Sequence, residues 1–363
     1  MTPDKPFSVS DRVRFALRGF EPYDPAFTPS RINLSANENT HPVPEAYVQA
    51  LHDAMVATPL NRYPDPMSNE LRDAIAARHG VARESVIVGN GGDELLFNLL
   101  FTFGGPGHTL VTCPPDFSEY ALFAQMNETE QVAVWRRPED YSIDEDALLA
   151  AARTADIVVL TSPNNPTGNA LDHALVRRLL DETDALILVD EAYVEFAPEG
   201  TSVVDWVADN PRLVVLHTLS KAFALAGLRC GYLVADPAVV DMLGAIRQIY
   251  SVDVLCQAAA LAAVTNRDLL KPVVADIVAE RDRLALGLSG IKGVTLWPSA
   301  ANFLLVRMDG ASTVRARLRD EHSILVRDFS YALGLTDCLR ITVGTAEEND
   351  CVVSALTAIL EGE

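Results

Sequence analysis

Seven short apolar runs recur through the first two thirds of the chain, and amphipathic segments of helical length separate most of them. The runs are Ser85–Gly89, Thr109–Thr112, Gln131–Trp135, Ile157–Thr161, Leu186–Val189, Leu213–Leu216 and Gly231–Ala235, and the segments include Asp93–Phe103, Phe117–Met126, Asp172–Leu180 and Val203–Asp209. This alternation predicts an α/β fold with a mostly parallel, seven-stranded sheet covered by helices. Ligands of such sheets bind at the carboxyl ends of the strands, so functional side chains are expected there.

The pattern changes after Asp236, where long helices come first and shorter strands follow. We predict helices at Ala238–Arg247, Cys256–Val264, Leu269–Leu288 and Ala346–Leu360, and strands at Gly293–Trp297, Asn302–Val306, Ser323–Val326 and Cys338–Val343. We therefore expect a large domain over residues 41–246 and a smaller α+β domain over residues 247–363. Residues 1–40, which contain Pro22, Pro25 and Pro29, are expected to form an extended arm that packs on the small domain or on a partner subunit.

The composition is that of a globular protein with an acidic surface. The chain has 363 residues, 49% of them hydrophobic, and a formal net charge of −21, which disfavours binding to nucleic acid and to anionic membranes. It has no uncharged apolar run of about 18 residues, and its first ten residues lack the apolar core of a signal peptide. A cytoplasmic protein is therefore expected. The five cysteines are scattered without the spacing of a zinc site, so no metal is expected.

Lys221 is the most informative residue of the chain. It follows the apolar run Leu213–Leu216 and precedes small residues, so its amine can be desolvated at the end of a buried strand. A desolvated amine is a nucleophile. Ser220 beside it and Arg229 eight residues later offer ligands for a phosphate. An amine next to a phosphate site suggests pyridoxal phosphate bound as a Schiff base, although a lysine by itself is more often a solvated surface charge.

The segment Gly89–Glu94 follows a predicted strand and opens a predicted helix. At Gly91, Gly92 and Asp93 the free backbone N–H groups of a helix N-terminus are available to an anion. The segment does not fit a dinucleotide fingerprint, because the next strand ends in Cys113–Pro115 with no acidic residue for a ribose. We predict a phosphate-binding turn, with a simple capping turn as the alternative.

Two further predicted strands end in polar residues, Asp190 and Tyr193 after one strand and Asn165 after another. A pyridine nitrogen needs a carboxylate to remain protonated, and Asp190 follows four apolar residues as such a group would. Tyr193 and Asn165 suit the phenolic oxygen of the cofactor, and Phe117 suits its ring face. Each motif is also an ordinary turn or strand end, but their order before Lys221 favours a cofactor site.

Arg340 lies within the apolar strand Cys338–Val343. A buried arginine needs an anionic partner, and a substrate carboxylate held in bidentate fashion would supply one. A structural salt bridge is the alternative.

These motifs resemble those of the fold-type I aminotransferases that use pyridoxal phosphate, and within them the histidinol-phosphate aminotransferases, from about residue 20 to residue 344. The resemblance rests on Glu21-Pro22-Tyr23-Asp24-Pro25, Asn33-Leu34-Ser35-Ala36-Asn37-Glu38-Asn39, Arg62-Tyr63-Pro64-Asp65, Gly91-Gly92-Asp93-Glu94, Asn164-Asn165-Pro166-Thr167-Gly168, Asp190-Glu191-Ala192-Tyr193, the Lys221 segment, Leu325-Val326-Arg327 and Leu339-Arg340-Ile341-Thr342-Val343-Gly344. The proline-rich arm, the segment around Asn37 and the pair of Arg327 and Arg340 point to histidinol phosphate, whereas the other motifs specify the cofactor.

The resemblance implies a role for each candidate residue in the cofactor site. It implies that Lys221 binds the cofactor covalently and then moves the substrate proton, and that Asp190 pairs with the pyridine nitrogen. Asn165 and Tyr193 would contact the ring oxygen. The implied ligands of the cofactor phosphate are Gly91, Gly92, Asp93, Ser220 and Arg229, with Tyr63 from the other subunit of a homodimer.

The resemblance also implies the reaction, in which histidinol phosphate and 2-oxoglutarate are interconverted with imidazole-acetol phosphate and glutamate. Arg340 would bind the α-carboxylate of glutamate, and Tyr23 with Arg327 would bind the phosphate of histidinol phosphate. Asn37 belongs to the implied substrate-binding set.

Departures from the family pattern keep two other substrates open. Phe117 stands where the family usually has tyrosine, and Thr40-His41-Pro42 replaces the usual Pro-Tyr-Gly. The segment Phe117–Tyr120 is similar to threonine-phosphate decarboxylases. An aminotransferase for aromatic amino acids and a phosphoamino-acid decarboxylase are therefore alternatives with the same cofactor. A regulator that binds the cofactor without catalysis is disfavoured, because no basic patch or DNA-binding segment is present.

Overall fold

The computed structural model describes residues 9–20 and 28–362, which form two β-sheets with helices packed on them. The strands of the larger sheet are β2 (Val86–Asn90), β3 (Thr109–Thr112), β4 (Glu130–Ala133), β5 (Ile157–Thr161), β6 (Leu186–Asp190), β7 (Leu213–Thr218) and β8 (Cys230–Val234), in the order β2-β8-β7-β6-β5-β3-β4. Only β8 runs against its neighbours, so the predicted mostly parallel sheet of seven strands is confirmed. Strands β5 and β7 are buried along their whole length, as their unbroken apolar runs require.

Seven helices accompany this sheet in the described chain. They are α1 (Glu45–Val56), α2 (Asn69–His79), α3 (Gly91–Phe103), α4 (Glu119–Asn127), α5 (Glu145–Ala152), α6 (His173–Glu182) and α7 (Pro237–Ile246), while Val204–Asp209, predicted as part of a helix, forms a 3-10 helix. Helix α6 illustrates the local reasons for folding. The side chain of Asp172 caps it by accepting a hydrogen bond from the Ala174 N–H, and Leu175 and Leu179, four residues apart, are both buried against the sheet.

The smaller sheet has the order β1-β11-β12-β10-β9. Its strands are β1 (Ile32–Leu34), β9 (Thr295–Leu296), β10 (Phe303–Arg307), β11 (Ile324–Asp328) and β12 (Cys338–Thr342), and its helices are α8 (Val254–Thr265), α9 (Lys271–Ser289), α10 (Ala311–His322) and α11 (Ala346–Glu361). All pairings are antiparallel except that of β1 with β11. A capping box of Thr345 and Glu348 begins α11.

Strand β1 belongs to the predicted N-terminal arm, and it pairs residue by residue with β11 in the C-terminal part of the chain. This pairing is consistent with an arm that packs on a small domain. The predicted boundaries at residues 40 and 246 stay a prediction. Pro22 and Pro25 lie outside the described residues.

No helix in the described ranges is long and apolar enough to cross a membrane. Within the same ranges, no group of three or more His, Cys, Asp or Glu side chains is arranged to hold a metal ion.

Candidate active site

A cavity of about 230 Å³, here called the inner cavity, lies where β5, β6 and β7 end and α3 begins. Its lining includes most of the residues predicted from the sequence: Asn37, Gly92, Asp93, Phe117, Asn165, Asp190, Tyr193, Ser220, Lys221, Arg229 and Arg340. Parallel strands present their carboxyl ends at one edge of a sheet, so residues far apart in sequence meet here.

Lys221 places its amine in the inner cavity. Its Nζ donates a hydrogen bond to the Ala36 carbonyl oxygen at 2.8 Å and lies 5.8 Å from the centre of the Tyr193 ring. Burial, followed by the positive charge of Arg340, lowers the pKa of Lys221 to about 8. A substantial fraction of this amine is therefore neutral near physiological pH, which is the nucleophilic and basic form.

The N-terminus of α3 forms a cradle for an anion. Gly91 has a φ of 79°, and a Cβ atom there would lie 2.6 Å from Nη2 of Arg229, so only glycine allows this approach. The Arg229 guanidinium bridges to Asp93 at 2.9 Å and reaches the Ser220 hydroxyl at 3.4 Å. The helix N-terminus, a guanidinium and a hydroxyl converge here, and this donor set fits a phosphate group.

Asp190 is almost fully buried, with 4% of its surface exposed. Its Oδ2 accepts a hydrogen bond from the Tyr120 hydroxyl at 2.6 Å, and its Oδ1 accepts one from the Ala192 N–H at 3.0 Å. Burial raises the pKa of Asp190 to about 6, and the bonds from Tyr120 and Ala192 limit that rise. A cationic partner such as a protonated ring nitrogen would stabilise the ionised form of this buried carboxylate.

Tyr120 is a site residue that sequence reasoning missed. Its hydroxyl contacts both Asp190 and the hydroxyl of Thr161, 2.9 Å away, and its ring packs edge-on against Phe117. The available signal was its position three residues after Phe117, at the turn that leads into α4, where the Tyr120 N–H donates to the Phe117 carbonyl oxygen.

Tyr193 is held by a chain of hydrogen bonds that crosses to the smaller sheet. Its hydroxyl accepts from Asn37 Nδ2 at 2.9 Å, and Asn37 Oδ1 accepts from the Thr342 hydroxyl at 3.1 Å. Asn37 itself is buried in the left-handed conformation, with a φ of 57°. The role of Asn37 in substrate binding stays a prediction.

Arg340 orients Asn165. Its Nη1 donates to Asn165 Oδ1 at 2.6 Å, and its Nη2 donates to the Ser35 carbonyl oxygen at 2.7 Å. Since a guanidinium only donates, Asn165 must turn its oxygen toward Arg340, and the amide NH₂ group is what remains to bind a ring oxygen. Arg340 is 7% exposed and lies between the rings of Phe303 and Phe329.

A second cavity of about 460 Å³, here called the outer cavity, adjoins the first. The two share Ala36, Phe117, Asn165 and Arg340 in their walls. Arg327 lines the outer cavity and is the direct partner of Arg340 across β11 and β12. The predicted pair of arginines is therefore brought together along one connected space.

Two predicted site residues, Tyr63 and Tyr23, are not found in this site among the residues that the structure describes. Tyr63 lines neither cavity; it is 81% exposed and stacks on Tyr250 with ring centres 4.5 Å apart. Tyr23 lies outside the described residues, so its predicted contact with a substrate phosphate stays a prediction.

The fold and the site together define the class, an aminotransferase of fold type I. A family model described as aminotransferase class I and II matches residues 29–356. The histidinol-phosphate aminotransferase of Thermoanaerobacter pseudethanolicus is 35% identical over 97% of this chain and 99% of its own length, and that of Roseiflexus castenholzii is 39% identical over 98% and 100%. The chain therefore belongs to the class I and II aminotransferase family, and the resemblance inferred from its motifs is confirmed.

A solved structure agrees with this placement. The histidinol-phosphate aminotransferase from Sinorhizobium meliloti in complex with pyridoxal-5'-phosphate superposes with a TM-score of 0.87 and 26% identity, covering 97% of this chain and 98% of that one.

Proposed function

We propose that this enzyme interconverts histidinol phosphate and 2-oxoglutarate with imidazole-acetol phosphate and glutamate, using pyridoxal phosphate. The observation that carries the proposal is the desolvated amine of Lys221 in a cavity shared with Asp190 and Arg340, connected to a second cavity that contains Arg327. The names of the relatives described above support the same substrate.

The inner cavity suits the cofactor. Gly91, Gly92, Ser220 and Arg229 would hold its phosphate at the start of α3, where Gly91 allows the guanidinium its close approach. When bound, pyridoxal phosphate supplies an aldehyde that takes up amino groups and a protonated ring that withdraws electrons. Phe117 lines the same cavity and offers its ring face to the cofactor.

Lys221 is the base of the proposed reaction. As the neutral amine, its Nζ would hold the cofactor and, once released, would remove the proton from the substrate carbon that carries the amino group. The lowered pKa supports this role, since a lysine with a pKa of about 8 is partly neutral at working pH whereas a solvated one is not.

Asp190, Tyr193 and Asn165 orient the ring in this proposal. Asp190 would hold the proton on the ring nitrogen, and the Tyr120 hydroxyl keeps its carboxylate in place. Tyr193 and the amide NH₂ of Asn165 would contact the ring oxygen.

The substrate anions are assigned to arginines. Arg340 would bind the α-carboxylate of glutamate in bidentate fashion, and Arg327, together with Tyr23, would bind the phosphate of histidinol phosphate. The connected cavities support this assignment, because an amino group at Lys221 and an anion in the outer cavity can belong to one extended molecule.

The enzyme is proposed to act in the cytoplasm as a homodimer with shared sites. Tyr63 and Tyr250 form an exposed aromatic pair, and Leu60 and Ile249 nearby in sequence are also exposed. Exposed apolar residues on adjoining segments are typical of an interface. Tyr63 would then reach the cofactor phosphate of the partner subunit.

The substrate is tested with Arg327→Leu. We expect the half-reaction with histidinol phosphate to lose on the order of 1.5–3 kcal/mol, the scale of a charge-assisted hydrogen bond, and the half-reaction with glutamate to lose less. Arg153→Leu, which removes an exposed arginine paired with Glu182, serves as control. Equal losses for both substrates would favour a structural Arg327 and an aminotransferase for aromatic amino acids. Release of carbon dioxide from threonine phosphate would instead identify a decarboxylase.

A further inference from the structure

Arg315, on helix α10, is a third arginine of the outer cavity. It lines this space together with Arg327 and Arg340. Two acidic residues, Asp116 and Glu119, also line it, and burial raises the pKa of both side chains, that of Asp116 to about 6. Three guanidinium groups thus line this space with two carboxyl groups, so positive charge predominates and the cavity suits an anion.

The side chain of Arg315 differs from those of the neighbouring arginines on α10. Arg317 is bound by both carboxylate oxygens of Glu321 at 2.8 and 2.9 Å, and Arg319 by both of Asp320 at 2.6 and 2.7 Å. Within residues 9–20 and 28–362, Arg315 forms no ion pair, and its Nε is buried without a hydrogen-bond partner. A buried, unsatisfied N–H on a cation is costly unless a ligand supplies the acceptor.

The position of Arg315 beside Arg327 is fixed by the packing of α10 on β11. Ser312, in the first turn of α10, donates a hydrogen bond to Asp328 Oδ2 at 2.7 Å, and Asp328 directly follows Arg327 on β11. The other oxygen of Asp328 accepts from the Ser330 N–H at 2.8 Å. Burial opposes the charge of Asp328, but the hydrogen bonds from Ser312 and Ser330, and to a smaller degree the charge of Arg315, lower its pKa. Both oxygens of Asp328 are therefore hydrogen-bonded by other donors, and the turn that carries Arg315 is held next to the strand that carries Arg327.

We propose that Arg315 acts with Arg327 as a second guanidinium for the distal phosphate of the substrate, and so determines selectivity for a phosphate monoester over a carboxylate. The proposal rests on the proposed function. A phosphate dianion has three terminal oxygens and can take two guanidinium forks, whereas a carboxylate is satisfied by one. Arg315 would therefore strengthen the binding of the phosphorylated substrate more than the binding of glutamate.

The test uses the full-length, cofactor-loaded enzyme with Arg315→Leu and Arg315→Lys. The control is Arg319→Leu, one turn further along the same helix face, which removes an arginine that lines neither cavity. Single-turnover half-reactions are measured with histidinol phosphate and with glutamate, and the dissociation constant of inorganic phosphate is measured by its competition with each substrate. Circular dichroism and thermal unfolding report whether each variant folds.

We expect Arg315→Leu to lower the ratio of kcat/KM for histidinol phosphate over glutamate by about tenfold or more and to weaken phosphate competition similarly, a loss equivalent to one charge-assisted hydrogen bond. Arg315→Lys should recover part of the ratio, and Arg319→Leu should match the wild type. An unchanged ratio in both Arg315 variants would overturn the proposal, as would equal losses for both substrates. If Arg315→Leu fails to fold, the ratio measured with Arg315→Lys decides.

A comparison with Arg327→Leu distinguishes failure of the role proposed for Arg315 from failure of the proposed function. If Arg327→Leu loses selectivity for the phosphorylated substrate and Arg315→Leu does not, the proposed function stands and the role of Arg315 is wrong. If neither variant changes the selectivity, and histidinol phosphate is not processed by the wild type, the proposed function itself is wrong.

Discussion

The hydrogen bond from Tyr120 to Asp190 offers a direct test of how this site holds a carboxylate. Tyr120→Phe removes only the hydroxyl, which lies 2.6 Å from Asp190 Oδ2, and keeps the ring that packs edge-on against Phe117. Tyr120 is fully buried, so no solvent molecule from the surface replaces the lost donor directly. The change therefore acts on the charge state of Asp190 more than on the shape of the site.

The magnitude follows from the kind of bond removed. A hydrogen bond to a charged acceptor stabilises it by about 1.5–3 kcal/mol, and about 1.4 kcal/mol corresponds to one pH unit. Burial has already raised the pKa of Asp190 to about 6, and the Tyr120 bond opposes that rise. Removing the bond should raise the pKa of Asp190 by a further ~1–2. Pairing with a protonated ring nitrogen needs the ionised carboxylate, so the affinity of the apoenzyme for pyridoxal phosphate falls as the pH drops through this pKa, and in the variant the fall begins at higher pH.

The assay is the affinity of the apoenzyme for pyridoxal phosphate between pH 5 and pH 9, for the wild type and for Tyr120→Phe. We expect the acidic limb of the profile to move upward by about 1–2 pH units, with the two enzymes converging at the alkaline end. Tyr232→Phe is the matched control, because it removes a buried hydroxyl that pairs with His79 and lines neither cavity. Superimposable profiles for wild type and Tyr120→Phe, within twofold at every pH, would refute the reasoning.

Four further predictions concern the remaining site residues. Lys221→Ala should abolish multiple turnover while circular dichroism shows an intact fold, and near-normal turnover would remove Lys221 from the mechanism. In the wild type, cofactor uptake by the apoenzyme should become faster as the pH rises through about 8, because the Lys221 amine becomes neutral there. Asp190→Ala should lower kcat severely, because the ring nitrogen loses the partner of its proton, and an unchanged kcat would make Asp190 structural. Mixing Lys221→Ala with Tyr63→Phe chains should restore roughly a quarter of all sites after random subunit exchange, since one heterodimer site is then intact. Activity that stays at the sum of the parents after confirmed exchange would place Tyr63 outside a shared site.

The sequence predicted the parts of this protein that depend on neighbouring residues. Apolar runs identified all seven strands of the larger sheet. Strands covered on both faces, such as β5 and β7, are apolar throughout, whereas the edge strand β4 is largely exposed. Asp190, Asn165 and Lys221 were found because each lies at the end of such a run or in the loop after it, and parallel strands end at one edge. These features are local, and each can be read from a short window of sequence.

The tertiary structure decided the contacts between distant residues. Tyr120 and Asp190 are 70 residues apart, and Arg340 and Asn165 are 175 apart, so no window of sequence contains either pair. The three-residue strand β1 gives no periodic signal of its own, and it exists because β11 offers a free edge. Packing also determined that Arg315 faces the outer cavity while Arg317 and Arg319 bind acidic residues on their own helix. Residue identity fixes what a side chain can bind, but only the folded chain decides which partner lies within reach.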